Sequence, residues 1–258
     1  MDLNCDMGEI PETVSDGGQE SLMASLTSVN VACGGHAGDA QTMKATIEQA
    51  LRWKLDLGAH PGYADRANFG RVELQLEPDV IARSVFEQVR TLAATARESG
   101  GRVTHVKPHG ALYNQAARDR VVAQAIADGV ALWNLDVALV GLAGSLMLDV
   151  FRQAGFRVVA EAFADRRYES DGSLRSRKFA DALIRDPAEA GQQALGIAER
   201  GTVIAHGGAE IATSAQTICI HGDTPGAQAI AAEVAKTLRQ AGVELSPLSR
   251  SLSDASRP

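Results

Sequence analysis

Nine residues near the middle of the chain, Val106-Lys107-Pro108-His109-Gly110-Ala111-Leu112-Tyr113-Asn114, follow directly on the apolar run Val103-Thr104-His105. A strand ending there delivers an ammonium, an imidazole, a phenol and an amide to one edge of a sheet. His105, Lys107 and His109 share a parity, so they fall on one side of an extended chain. A lysine at a strand end can bind a carboxylate or phosphate, or stabilise an oxyanion. A histidine beside it can transfer protons near neutral pH. The plain alternative for Lys107 is a structural pairing with a buried carboxylate.

Other apolar runs end in similar tips, and five of the six histidines lie in them. The first tip, 2–9, holds Asp2, Asn4 and Asp6 on one strand face, with Glu9 following. An inward polar row is hard to reconcile with an apolar core; an edge strand with one wet face is the alternative. The second tip carries His36 between Gly35 and Asp39, and Asp39 also reads as a helix N-cap. The third carries His60 and Asp65. Asp6, His36 and His60 have the donor chemistry of a divalent-metal site, although no HxxxH or HxH spacing supports it. The fifth tip runs from Glu161 through Asp165 and Arg166 to Arg177, and its arginines could grip an anion. In the sixth, His221 and Asp223 are proton-transfer candidates, while Thr224 and Pro225 read as an N-cap and first helical residue.

Strands are expected over 3–5, 29–33, 55–59, 103–106, 137–140 and 157–160, and then over either 203–205 or 217–220. Helices are expected over 19–26, 40–53, 78–99, 119–132, 145–153, 187–201 and 227–240. This β-then-α rhythm points to one parallel α/β domain, either a closed barrel or an open doubly wound sheet. In both, ligands bind where the strands end at their carboxyl edge, so the tips should converge. Two long polar loops, 63–77 and 161–187, interrupt the rhythm. The domain is expected to end near 245, with 246–258 as a disordered tail.

A chain of 258 residues with 45% hydrophobic and 22% charged residues can bury a large core. Its net charge of −7 and lack of a basic run argue against nucleic acid as a partner. The longest apolar stretch, 137–148, is too short for a bilayer. The first residues lack the features of a secretory leader, and the three widely spaced cysteines fit free thiols, so a cytoplasmic location is expected. No GxxxxGK[ST] loop and no GxSxG elbow occurs, so nothing local supports an ATP site or a serine hydrolase.

Taken in order, NVACGGHAGD (30–39), GAHPGYAD (58–65), Phe69-Gly70-Arg71, VKPHGALYN (106–114), VGLAGS (140–145), FADRRY (163–168) and ICIHGDTPG (218–226) resemble the LamB/YcsF family. The resemblance covers about residues 2–245. It implies an irregular seven-stranded (β/α) barrel of the glycoside hydrolase/deacetylase type. It also implies a part in ATP-dependent opening of the 5-oxo-L-proline lactam to L-glutamate, with ATP and Mg2+ as co-substrate and two partner subunits, B and C. On that reading Lys107, Arg166 or Arg177 binds anion, and Asp6 with His109, or His221 with Asp223, handles protons and water. Asn4, Glu9, His36, His60, Tyr113, Asn114, Glu161 and Asp165 then line the substrate. The competing readings are a metal-dependent amidohydrolase or deacetylase on another small amide, and a non-catalytic substrate-binding subunit. Departures from the family pattern include Gly35 in place of an aromatic, Ala40, Gly62, Ala64, Val72, and the stretch 175–181. They are expected to widen the pocket near His36.

Overall fold

The computed structural model describes residues 1–250. Seven parallel strands close into a barrel in the order β1-β2-β3-β4-β5-β6-β9. In chain order the elements begin β1 (Asp2–Met7), α1 (Pro11–Ser15), α2 (Gly18–Met23), β2 (Ser28–Ala32) and α3 (Ala40–Arg52). They continue β3 (Asp56–His60), α4 (Pro78–Glu98), β4 (Val103–Val106), α5 (Gly110–Ala116) and α6 (Arg120–Ala131). Next come β5 (Ala138–Leu142), α7 (Leu146–Gln153), β6 (Arg157–Phe163), α8 (Pro187–Leu195), β7 (Thr202–Ile204), β8 (Glu210–Ala212), β9 (Thr217–His221) and α9 (Ala227–Gln240). Closure comes from β9 pairing with both β1 and β6. No described helix is long and apolar enough to cross a membrane.

Two periodicities build this architecture. Leu3, Cys5 and Met7 alternate with Asp2, Asn4 and Asp6, and all six are buried. The apolar set packs in the main core with helices such as α4, whose Ile81, Val85, Val89, Leu92 and Ala96 recur at helical spacing. Helix α3 starts where the sequence predicts, because Asp39 and Thr42 form a reciprocal capping box. The polar set points into the barrel. Burial there is tolerable only because each group finds a partner.

The lowest layer shows this. Asp2 accepts from Thr27 Oγ1 at 2.6 Å and Ser28 Oγ at 2.9 Å, and also from Thr217 Oγ1. Thr217 Oγ1 accepts in turn from Asn4 Nδ2 at 2.7 Å. Asn4 Oδ1 accepts from Asn30 Nδ2 at 2.8 Å, and His105 Nε2 donates to Asn30 Oδ1 at 2.9 Å. Gly58 faces this ring: a Cβ there would stand 2.2 Å from His105 Nε2. The edge-strand alternative for the first tip is therefore replaced by a polar barrel interior.

Several expectations change. The last barrel strand is Thr217–His221, and Thr202–Ile204 instead forms an antiparallel hairpin with Glu210–Ala212. Strand β6 runs three residues past the expected end, to Phe163, because Glu161 is buried inside the barrel rather than solvated in a loop. Thr224 does not cap α9; Gly226 occupies that position, and Thr224 Oγ1 donates to Asp165 at 2.9 Å. Residues 246–250 pack against the barrel floor. Leu248 is buried with Ala138, Val140 and Val159, and the Ser249 amide donates to Asp56 at 2.7 Å. The rest of the expected tail lies outside the described residues.

Burial pushes the Asp2 carboxyl up to about 6, against the hydrogen bonds from Thr217, Thr27 and Ser28, which favour its charged form. Its ordinary value is 3.8, so the folded chain binds the proton more tightly than the unfolded chain between these values. The stabilisation is fully present below the lower value and is lost as pH rises through the upper one. Asp2→Asn removes this dependence. The wild-type-minus-variant difference in unfolding free energy should therefore shift by about 2 kcal/mol against wild type between about pH 4 and pH 7. Urea titrations at both pH values check this; a constant difference contradicts it.

Candidate active site

All six tips converge on the mouth of the barrel. At its centre stands Lys107, which is 2% exposed. Its Nζ lies 2.9 Å from Glu161 Oε1, 3.0 Å from Asp6 Oδ1, 3.0 Å from Cys219 Sγ and 3.3 Å from Asn4 Oδ1. Burial alone would lower its pKa, but the charges of Asp6 and Glu161 hold the ammonium well above its ordinary value. The Cys219 thiol is pushed well up by burial and stays protonated. Tyr113 OH donates to Glu161 Oε2 at 2.9 Å. With its three protons already directed at neighbours and two carboxylates alongside, Lys107 is poorly placed to grip a substrate carboxylate.

Above Lys107 lies a second group. The ligand atoms of Glu9, His36, His60 and His109 all fall within 4.8 Å of one another, and all four residues are buried. Glu9 Oε1 is 2.9 Å from His36 Nε2 and 3.1 Å from His109 Nδ1. The outer nitrogens fix two of the imidazoles: His60 Nδ1 donates to the Lys107 carbonyl at 2.7 Å, and His109 Nε2 to the Phe69 carbonyl at 2.9 Å. The inner nitrogens, His60 Nε2 and His109 Nδ1, then face each other at 3.0 Å. Two facing lone pairs need a proton or a cation between them. His36 Nδ1 is buried with no hydrogen-bond partner among the described residues. The rings of His36 and His109 stack at 3.6 Å, in keeping with neutral imidazoles. Burial pushes His36 down to about 4 and also lowers His109.

This donor set fits a divalent metal, since neutral imidazoles and a carboxylate converge and backbone carbonyls orient two of the rings. It differs from the expected Asp6, His36 and His60. Asp6 Oδ2 lies 3.3 Å from His60 Nε2, but Asp6 Oδ1 already faces the Lys107 ammonium, and Glu9 takes its place among the histidines. Burial would raise the Asp6 carboxyl, yet His60 and Lys107 hold it well below the usual carboxylate range.

A third group lies across the mouth. His221 Nδ1 is 2.9 Å from Asp165 Oδ1. Asp165 also accepts from the His221 amide at 3.0 Å and from Thr224 Oγ1. With these bonds made inside the protein, Asp165 orients His221 and is not free to line a substrate. Phe163 stacks on the His221 ring. Asp223 accepts from Arg71 and Arg177, while Arg166 lies nearby with its Nε unpaired. Asn114 is exposed on α5, while Tyr113 is buried and donates to Glu161.

The pocket near His36 is not widened. Gln88, from the middle of α4, fills the space beside Gly35, where a Cβ would stand 2.3 Å from Gln88 Oε1. The same side chain donates to the Gly62 carbonyl at 2.8 Å and accepts from the Gly62 amide at 3.1 Å. Gln88 belongs to no tip, so the strand-end pattern could not find it. Asn30 could have been found, because Ser28 and Asn30 repeat the polar parity of Asp2, Asn4 and Asp6.

Equilibrium dialysis with zinc or manganese, followed by elemental analysis, is expected to give one ion per chain. Glu9→Gln and His109→Ala should each weaken binding by about tenfold or more, and His206→Ala should not. No bound ion in wild type, or equal binding in all variants, contradicts the site.

Residues 1–253 match the LamB/YcsF family. The 5-oxoprolinase A subunit of Chloroflexus aggregans (strain MD-66 / DSM 9485) is 49% identical over 243 residues, covering 94% of this chain and 96% of that protein. The crystal structure of the lactam utilization protein from Thermus thermophilus superposes with a TM-score of 0.87 at 38% identity, covering 96% of this chain and 99% of that one. Peptidoglycan deacetylase PdaC from Bacillus subtilis shares the fold alone, with a TM-score of 0.50 at 15% identity, covering 96% of this chain and 87% of that one. The architecture is accordingly a closed barrel of seven parallel strands, a fold shared with that deacetylase. On the extent of the family match and the identity to these relatives, the chain belongs to the LamB/YcsF family.

Proposed function

We propose that this chain is the A subunit of an ATP-dependent 5-oxoprolinase, opening 5-oxo-L-proline to L-glutamate with partner subunits B and C. The observation that carries the reading is the juxtaposition at one barrel mouth of a buried Lys107–Asp6–Glu161 centre, a Glu9–His36–His60–His109 group and a His221–Asp165 pair. Opening the lactam breaks the C–N bond, adds the hydroxyl of water to the carbonyl carbon and returns a proton to the nitrogen. That requires a base for water, an acid for the leaving amine and a positive field at the carbonyl oxygen.

His221, oriented by Asp165, suits proton transfer to the amine. With no ion in the histidine group, the neutral His109 Nδ1 offers a lone pair for proton removal from water; with an ion bound, that nitrogen is a ligand instead. Lys107 holds the Asp6 and Glu161 carboxylates in place, and Tyr113 donates to Glu161, so a positive field at the carbonyl oxygen falls to an ion in the histidine group. A divalent ion held by Glu9, His36, His60 and His109 would act as a Lewis acid toward water or the carbonyl oxygen. The amide nitrogen is a poor leaving group, which is the reason for coupling to ATP with Mg2+. The absence of a phosphate-binding loop favours activation by, or shared with, subunits B and C. A second reading, a metal-dependent amidohydrolase acting without ATP, is favoured by the four-donor group alone.

Glutamate release from 5-oxo-L-proline, measured with ATP and Mg2+ for the chain alone and with purified B and C subunits, separates these readings. Release is expected only with all three subunits. It should fall by about 10²–10⁴-fold in Lys107→Ala and His109→Ala variants that still assemble. Release by the chain alone without ATP supports the amidohydrolase instead.

A further inference from the structure

Two guanidinium groups meet on one carboxylate at the rim of the mouth, and a third lies close enough to feel the charge of both. Arg71 follows β3, Arg166 and Arg177 follow β6, and Asp223 follows β9. Arg71 Nη2 and Arg177 Nη1 both donate to Asp223 Oδ2, the latter at 3.1 Å. Arg166 is 5% exposed and has no ion pair among the described residues. Its Nη2 donates to the Arg175 carbonyl at 2.7 Å, and its Nε is buried without a partner. Asp165, its neighbour in sequence, is engaged by His221 and Thr224. A buried guanidinium without an acid is costly, and a two-oxygen anion is its natural complement.

The location agrees with a ligand site. Asp223 is two residues beyond His221, whose ring belongs with Asp6 and Cys219 to a group within 4.8 Å. The rim thus adjoins the proton-transfer centre, where the carboxylates around Lys107 repel an incoming anion. Burial, and then the charge of Arg177, push the Arg166 guanidinium down to about 10, as expected where positive charge is in excess.

We propose that Arg71, Arg166 and Arg177 form a clamp for the carboxylate of a small cyclic acid, and that Asp223 is its resting occupant. Substrate entry exchanges one carboxylate for another. Asp223 then acts as a gate that holds the arginines in place, rather than as a proton-transfer residue. The assignment of the acid as a lactam rests on the function proposed above; the clamp itself does not.

Calorimetry on the full chain tests both. The probes are 5-oxo-L-proline, 2-pyrrolidinone (the same ring without the carboxylate) and succinate. Wild type should prefer 5-oxo-L-proline to 2-pyrrolidinone. Arg166→Gln and Arg177→Gln should each reduce that preference by about tenfold or more. Arg177 is part-exposed, so its variant tests the clamp even if Arg166→Gln melts early. Asp223→Asn should tighten binding of both 5-oxo-L-proline and succinate, because the competitor is gone. Arginine-dependent succinate binding with no binding of either lactam supports the clamp and overturns the lactam reading. An unchanged preference in both arginine variants, weaker carboxylate binding in Asp223→Asn, or no carboxylate binding by the folded chain overturns the clamp.

Discussion

The structure depends on keeping one ammonium charged in the middle of a barrel. Lys107 reaches that position only if Asp6 and Glu161 accompany it, from β1 and β6 on either side of β9. Removing one partner of such a buried pair typically costs about 3–5 kcal/mol, because the remaining charge is stranded. The requirement spreads downward. Glu161 Oε1 also accepts from Asn4 Nδ2 at 3.0 Å, and Asn4 is tied to Asn30 and Thr217. It spreads upward as well, since the Lys107 carbonyl fixes His60 and Glu161 fixes Tyr113. The barrel interior is one polar network rather than an apolar plug.

The network divides charge across the mouth. The centre holds Asp6, Glu9 and Glu161 around a single lysine and a group of histidines. The rim holds Arg71 and Arg177 on Asp223, with the Arg166 guanidinium close enough to feel both charges. An anionic molecule therefore finds attraction at the rim and repulsion at the centre, which would orient it with its acid outward and its neutral ring inward. The same mouth holds His221, and His36 and His109, whose imidazoles burial biases toward the neutral form. Such separation of groups with opposed electrostatic environments is a recurrent basis for acid–base assignment.

Much of this was legible in the sequence because parallel strands deliver their ends to one place. The polar parity of Asp2, Asn4 and Asp6, and the histidines at strand ends, needed only alternation and the carboxyl-edge rule. What was not legible depended on pairings distant in sequence. Glu161 read as loop because nothing local shows that Lys107 waits opposite. Glu9 falls among substrate contacts by sequence, because only the fold shows that Asp6 is already committed to Lys107. Leu248 read as tail, yet it completes an apolar cluster with Val140 and Val159 at the barrel floor. A terminus is ordered by the contacts it makes, not by its position in the chain.

The departures at Gly35 and Gly62 follow the same logic. Taken singly, each removes a side chain beside the histidines and suggests a larger pocket. In the fold they are one feature, because Gln88 enters between them and bonds both the amide and the carbonyl of Gly62. A Cβ at Gly62 would also stand 2.8 Å from His36 Nδ1. The glycines thus let Gln88 and His36 approach the same backbone from two sides. Gln88 Nε2 also donates to Ser84 Oγ at 3.0 Å, so the loop carrying His60 is tied to the body of α4. In place of side chains at these two positions stand hydrogen bonds that hold the His36 and His60 tips in register. The two glycines therefore serve the rigidity of the histidine group rather than the size of the pocket.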